Sequence, residues 1–284
     1  MASFSSENME HKIQQVRSII MQKYESNNEL YHEKDIEYLQ NDNWTVERYI
    51  QRGKTVDKSF QLLDNVLKFR REIDMPVLES VCFPRELFKI GYAFNGGHDR
   101  QGNGVVFMRP RFYRKIKKLD RKIKQFVCYQ MEIMDKKTKG RGMAIIVDLK
   151  SIGLMNLDIE YILWGITNLI DCCPTGLNYI MLYDFSWLVT SIWNQMKKLL
   201  PADLEKKFKF CNGDDIFHYI DHDNVPKYLG GNSIIDPHHV PDECLTLIDY
   251  GRQNDWLEKE IDHVLKLWKP FLDKADEEIK KFVQ

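Results

Sequence analysis

The sequence predicts an α/β protein in which a helical N-terminal region precedes a mixed, mainly parallel sheet flanked by helices. Two observations predict it. Residues 1–75 place their apolar side chains only at helical spacing, and after Pro84 short apolar runs alternate with helical segments. Strands separated by helices require crossover connections, which give parallel pairing.

Residues 1–10 should fray. Ile13, Val16 and Ile20 then lie on one face of a helix over 11–24, and 33–40 forms a short second helix. Asp42-Asn-Trp-Thr offers a cap before Val46, Tyr49 and Ile50, which share a face. Gly53 interrupts, and Val56, Phe60, Leu63 and Leu67 line another helix to about 72. Apolar runs at 90–94 and 104–109 flank a Gly/Asn/Asp-rich connector that reads as a hairpin turn. A helix over 119–134 leads to Met143-Ala-Ile-Ile-Val-Asp-Leu, a continuous apolar run suited to a buried strand.

Residues 157–170 form a helix that is apolar on most of its surface and is expected to be deeply buried. Strand 179–185, helix 189–200, a short strand at 208–210 and a short helix at 214–219 follow, then an irregular Val225-Pro-Lys-Tyr-Leu-Gly-Gly loop. A Pro- and His-containing linker leads to an amphipathic helix with Trp256, Leu257, Ile261, Val264, Leu265 and Trp268. Pro270 is expected to break it and start another at Phe271. The domain reading is 1–75 helical, 76–235 core and 236–284 helical extension.

The 284 residues are 43% hydrophobic and 29% charged, the composition of a globular protein with a sizeable core. A formal net charge of −1 argues against nucleic acid as a partner of the whole chain. The N-terminus has no apolar signal segment, and the most apolar runs are too short to span a bilayer, so a cytoplasmic protein is expected. Its six cysteines include no CxxC pair, and Cys172 and Cys173 are adjacent, so all are read as reduced thiols.

Six pieces, in order over about residues 35–231, resemble the CRAL-TRIO family, also called Sec-fourteen-like lipid-transfer proteins. The lead-in is Asn43-Trp-Thr-Val-Glu-Arg-Tyr-Ile-Gln-Arg with Phe69-Arg-Arg-Glu. Asp99-Arg-Gln-Gly-Asn-Gly-Val-Val is similar to the family's Asp-x-x-Gly-Arg-Pro-Val turn, and Ile146-Val-Asp-Leu-Lys to its central strand. Cys173-Pro-Thr-Gly-Leu stands in place of Tyr-Pro-Glu-Arg-Leu. Tyr183-Asp-Phe-Ser-Trp-Leu resembles the lead into the gate helix, and Val225-Pro-Lys-Tyr-Leu-Gly-Gly the closing Leu-Pro-x-x-x-Gly-Gly. The Asp42-Asn-Trp lead-in is most similar to the N-terminal module of motile-sperm-domain tethering proteins, whose second domain and membrane anchor have no counterpart in these residues.

The resemblance implies a CRAL-TRIO fold: a hydrophobic pocket floored by the sheet, closed by a mobile helix and occupied by a lipid or other hydrophobic molecule. It implies no cofactor and no catalytic residue. The candidate ligand-binding residues are Met143, Ile145, Val147, Tyr183, Phe185, Trp187, Leu188, Ile192, Trp193, Met196 and Lys206. Core packing is the plain alternative for each apolar one. Burying a lipid chain gains about 0.8 kcal/mol per methylene. Thr175 replaces the Glu used by phosphatidylinositol-binding members, while Lys206 falls at their Lys position. Met143 and Ile145 stand where phosphatidylcholine-binding members carry hydroxyls. A buried phosphate needs donors to offset its desolvation, and a less polar ligand, such as a sterol, fatty acid, retinoid or tocopherol, suits the residues at least as well.

Trp193 beside Lys197 and Lys198 suits a membrane interface. Residues 109–124 hold nine basic side chains against Asp120. Arg114, Lys117, Lys118 and Arg121 are the candidates there for an anionic membrane surface, with a solvated helix face as the alternative. His218 and His222 stand at the i, i+4 spacing of a zinc pair but lack the Glu of HExxH, so no metal is assigned. No GxSxG elbow occurs, and a non-enzymatic role is expected. The leading function is a carrier that binds one hydrophobic ligand and transfers or presents it at membranes, with transient membrane association. The alternative is a non-catalytic protein- or membrane-interaction module with a vestigial pocket, a protein partner meeting its C-terminal helices.

Overall fold

The computed structural model describes residues 6–140, 142–172, 176–185, 187–200 and 202–283. They fall into two compact units, Met1–Leu78 with Glu160–Gly176, and Glu79–Ile159 with Leu177–Gln284.

The first unit is helical. Helix α1 (Ser6–Ser26) buries Ile13, Val16 and Ile20 along one stripe. Helices α2 (Glu33–Asn41), α3 (Asn43–Gly53) and α4 (Val56–Glu72) follow. Asp42 caps α3 by accepting from the amides of Trp44 and Thr45, and Thr55 caps α4 through the amide of Lys58. Each cap satisfies an amide that has no partner inside its helix. Ion pairs hold the polar seams: Arg70 grips both oxygens of Asp35, and Asp64 takes Lys23, Lys68 and the Tyr31 hydroxyl. Helix α7 (Ile159–Cys172) belongs almost wholly to this unit, with Trp164 against Phe69 at 6.3 Å between ring centroids.

The expectation for α7 needs correction. Its described side chains from Tyr161 to Asn168 are at most half-buried. An apolar helix becomes fully buried only when cover is available on every side, and local sequence does not specify that cover.

The second unit carries one five-stranded sheet in the order β1 (Ala93–His98), β2 (Gly104–Met108), β3 (Met143–Asp148), β4 (Leu177–Tyr183), β5 (Phe208–Cys211). The β1–β2 hairpin is antiparallel and every later pair is parallel. The hairpin turn is built on buried Asp99, which accepts from the amides of Gln101 and Asn103. Helix α5 (Arg85–Ile90) precedes the sheet, α6 (Asp120–Thr138) links β2 to β3, and α8 (Trp187–Met196) with α9 (Ala202–Glu205) links β4 to β5.

After β5 the chain makes 3-10 turns at Gly213–His218, His222–Asn224 and Lys227–Leu229, where a short helix and a loop are predicted. Helices α10 (Leu247–Gln253) and α11 (Glu258–Val283) end the chain. Helix α11 runs through Pro270 rather than breaking there. Proline removes one hydrogen bond from the ladder, and the packing of Trp268, Phe271 and Ala275, all buried, holds the helix across the gap. Ile261, Val264 and Trp268 bury its apolar stripe within the chain, and α5 and α10 are among the elements it packs on.

Candidate functional site

Strand residues alternate between two faces, and the two faces of this sheet are finished differently. On one, Val105, Phe107, Ala144, Ile146, Tyr179 and Met181 are 0–3% exposed. They pack beneath Ile216, Ile220, Val225 and Leu229 from the 3-10 segment. That face is a closed core.

The other face is the one α6 crosses. Asn95 of β1 donates to Gln130 of α6, and a Cβ at Gly104 would lie 2.1 Å from Met134 Sδ. The strand register sets two apolar rows across it: Val106–Ile145–Ile180–Phe208 and Met108–Val147–Leu182–Phe210. Cover thins along the first row and fails at the β5 end of the second. Val106 is 1% exposed, Ile145 5% and Ile180 7%, and Phe208 is half-buried. In the second row Met108 and Val147 are half-buried, Leu182 is 8% exposed and Phe210 is 47% exposed. The least covered part is thus the β5 edge at the C-terminal ends of the parallel strands, where open α/β sheets characteristically bind ligands.

Helix α8 lies against that edge. Trp193 meets Phe208 at 4.8 Å and Phe210 at 5.2 Å between ring centroids, and Phe185 meets Phe210 at 4.8 Å. Met196 is 8% exposed, Lys197 is half-buried and Lys198 exposed.

The fold therefore brings Met143, Ile145 and Val147 to one face, with Phe185 and Trp193 at its β5 edge. Tyr183 is not with them: strand parity puts it in the closed core with Ile146 and Met181. Lys206 is exposed and sits before β5, off the floor. The side chains of Trp187, Leu188 and Ile192, and the whole of Cys173, Pro174 and Thr175, lie outside the described residues. Sequence reasoning missed Val106, Met108, Ile180, Leu182, Phe208 and Phe210. Period-two alternation in Ile180/Leu182 and Phe208/Phe210 was the available signal, and the cross-strand register gave it meaning.

The basic stretch does not form one solvated face. Arg109 and Arg111 point inward, Arg109 to Glu278 and Arg111 to Asp148, and both stack on Phe112 and Tyr228. Arg114 lies over Phe271, and Lys118 pairs with Glu260 and lies over Trp256. Lys117 and Arg121 are exposed. The carboxylates that turn Arg109 and Arg111 inward come from α11 and β3, far along the chain, which explains the difference.

His222 stacks on Phe217 at 3.6 Å, and His218 lies in a 3-10 turn, so the two imidazoles do not share an α-helical face. Among the described residues no group of three or more His, Cys, Asp or Glu is placed to hold a metal ion. Cys82, Cys128, Cys211 and Cys244 are free thiols. No described helix is long and apolar enough to cross a membrane.

Comparison with known proteins gives three findings. The model of the CRAL/TRIO domain family matches residues 89–231. The phosphatidylinositol transfer protein CSR1 of Eremothecium gossypii is 23% identical over 147 residues, which are 50% of this chain and 34% of that protein. The chain thus matches about a third of that relative's length. The crystal structure of Sfh5 superposes with a TM-score of 0.57 at 15% identity, covering 89% of this chain and 99% of that one, a likeness of fold.

Proposed function

This chain belongs to the CRAL/TRIO domain family, and we propose that it binds one hydrophobic molecule or lipid on the α6-facing side of its sheet and transfers or presents it at membranes. One observation carries the reading. One face of the sheet is sealed by the 3-10 segment, with its apolar core side chains at 0–7% exposure, while the other leaves Met108, Val147 and Phe208 half-buried and Phe210 47% exposed. Water-exposed apolar rows cost free energy at roughly 25 cal/mol per Å², which an apolar guest recovers.

Helix α8 serves as the movable cover, since its described packing on β5 rests on rings that can slide apart. The ligand is weakly polar at its buried end: the rows on the floor hold no charged side chain, and Lys206 stands off them. A sterol, fatty acid, retinoid or tocopherol fits this floor at least as well as the phosphatidylinositol in the relative's name. The protein works without a cofactor, at the cytoplasmic side of membranes it meets transiently. The test is native mass spectrometry of purified protein with extraction of what it carries. A stoichiometric hydrophobic adduct supports the reading. Protein that stays empty when offered mixed lipid vesicles defeats it.

A further inference from the structure

Among the described residues, the most exposed pair of adjacent large apolar side chains is in the loop after β3. Leu154 is 72% exposed and Met155 76%, with Ile159 close by at 48%. They lie in the loop that follows β3, at the C-terminal end of that central strand.

Their loop is built rather than loose. Asn156, 8% exposed, donates from Nδ2 to the carbonyls of Arg111 and Tyr113, each at 3.0 Å, while its Oδ1 accepts from the Gly153 amide at 2.9 Å. Asp158 accepts from the Tyr113 hydroxyl at 2.9 Å and pairs with Lys115 at 3.4 Å. The backbone is thus pinned on both sides of Leu154 and Met155, and the pinning holds the two side chains out in water. A rigid loop presenting apolar tips loses hydration free energy in the free protein and recovers it only on a complementary surface.

The surrounding charge selects that surface. Lys150 is exposed, and Lys115, its side chain 58% exposed, lies at the loop's edge in a 3.4 Å pair with Asp158, while Glu160 has a partner within the chain. Exposed apolar tips in a loop that opens on an exposed lysine match a bilayer with anionic head groups, the apolar atoms entering the acyl boundary and the Lys150 ammonium meeting phosphate.

We propose that the loop of residues 150–159 is the surface by which the protein docks on anionic membranes, at the C-terminal end of the strands that floor the ligand face. The inference rests on the carrier reading for its purpose and on the loop alone for its geometry. Docking here sets the uncovered row next to the bilayer, so a hydrophobic guest need not cross water.

The test compares wild type with a Leu154→Ser/Met155→Ser double variant and with Lys150→Gln, by co-sedimentation with phosphatidylcholine vesicles with and without phosphatidylserine. All three positions are exposed, so unfolding temperature should not change. The double variant should bind phosphatidylserine vesicles about tenfold more weakly. Lys150→Gln should lose about fivefold on phosphatidylserine vesicles and nothing on neutral ones. Lipid extraction should find the carried molecule in all three proteins. A folded double variant that binds as wild type does, or a wild type that ignores anionic vesicles, overturns the docking surface and turns attention to a protein partner for the loop. Vesicle binding that depends on the loop in a protein that carries nothing would end the carrier reading and leave the docking surface standing.

Discussion

Glu278, near the end of α11, accepts a hydrogen bond from the guanidinium of Arg109, the residue after β2, across 169 positions of sequence. Arg109 is fully buried, and His238 donates from Nε2 to the same carboxylate oxygen, 3.1 Å away. The contact fastens the C-terminal helix to the start of the segment that leads from β2 to α6.

Removing this carboxylate leaves a buried guanidinium without its countercharge. Glu278→Gln should lower unfolding free energy by about 3 kcal/mol near neutral pH, read from urea midpoints. The pH dependence follows from the carboxyl's own titration. Burial alone would raise it, but the hydrogen bond from His238 and the charge of Arg109 win and hold it down at about 2, against 4.5 ordinarily. Between these values the unfolded chain binds more protons than the folded one, so stability rises with pH there. Wild type should thus lose this contribution as pH falls from about 4.5 toward about 2, and the gap between wild type and Glu278→Gln should narrow over that window. A gap constant from pH 7 to pH 3 would refute the pairing.

The two faces of β3 should respond differently to substitution. Ile146 is 0% exposed in the closed core, and Ile146→Ala should cost about 3 kcal/mol through the cavity it leaves. The folded fraction should still load ligand normally. Val147 is half-buried in the open row. Val147→Trp should leave the unfolding midpoint within about 1 kcal/mol of wild type while cutting ligand uptake severely, as native mass spectrometry would report. Equal loading by both variants would sink the assignment of the floor.

Trp193 joins α8 to Phe208 and Phe210. Aromatic pairs contribute about 0.5–1.5 kcal/mol each beyond area, so Trp193→Ala should release the helix edge and speed transfer of a fluorescent fatty acid between vesicles several-fold. Stopped-flow transfer rates would show it. An unchanged rate in a folded variant would mean that the helix does not gate the floor.

The closing Gly-Gly pair has a steric basis. Gly230 has φ of 88°, and a Cβ at Gly231 would lie 2.0 Å from the carbonyl oxygen of Val225. Backbone cannot yield as a flexible side chain can, so Gly231→Ala should destabilise by about 2–3 kcal/mol and loosen the 3-10 segment over the closed face. Thermal unfolding checks the first effect, and hydrogen exchange at Ser233, whose amide bonds Val225, checks the second.

The sequence by itself determined the helical lead-in followed by a mainly parallel sheet, the antiparallel hairpin at Asp99, the cap at Asp42, and the two-faced character of β3. These are local: a cap needs its next three residues, and a strand face needs only alternate positions. Tertiary structure decided the rest. Tyr183 belongs to the closed side because pairing with β3 and the cover from residues 216–229 set which parity is sealed. Arg109 and Arg111 are inward, not solvated, because Glu278 and Asp148 reach them from 169 and 37 positions away. Helix α11 passes through Pro270 because buried neighbours outweigh one missing hydrogen bond. In each case the deciding partner is distant along the chain, and no local period or spacing carries its address.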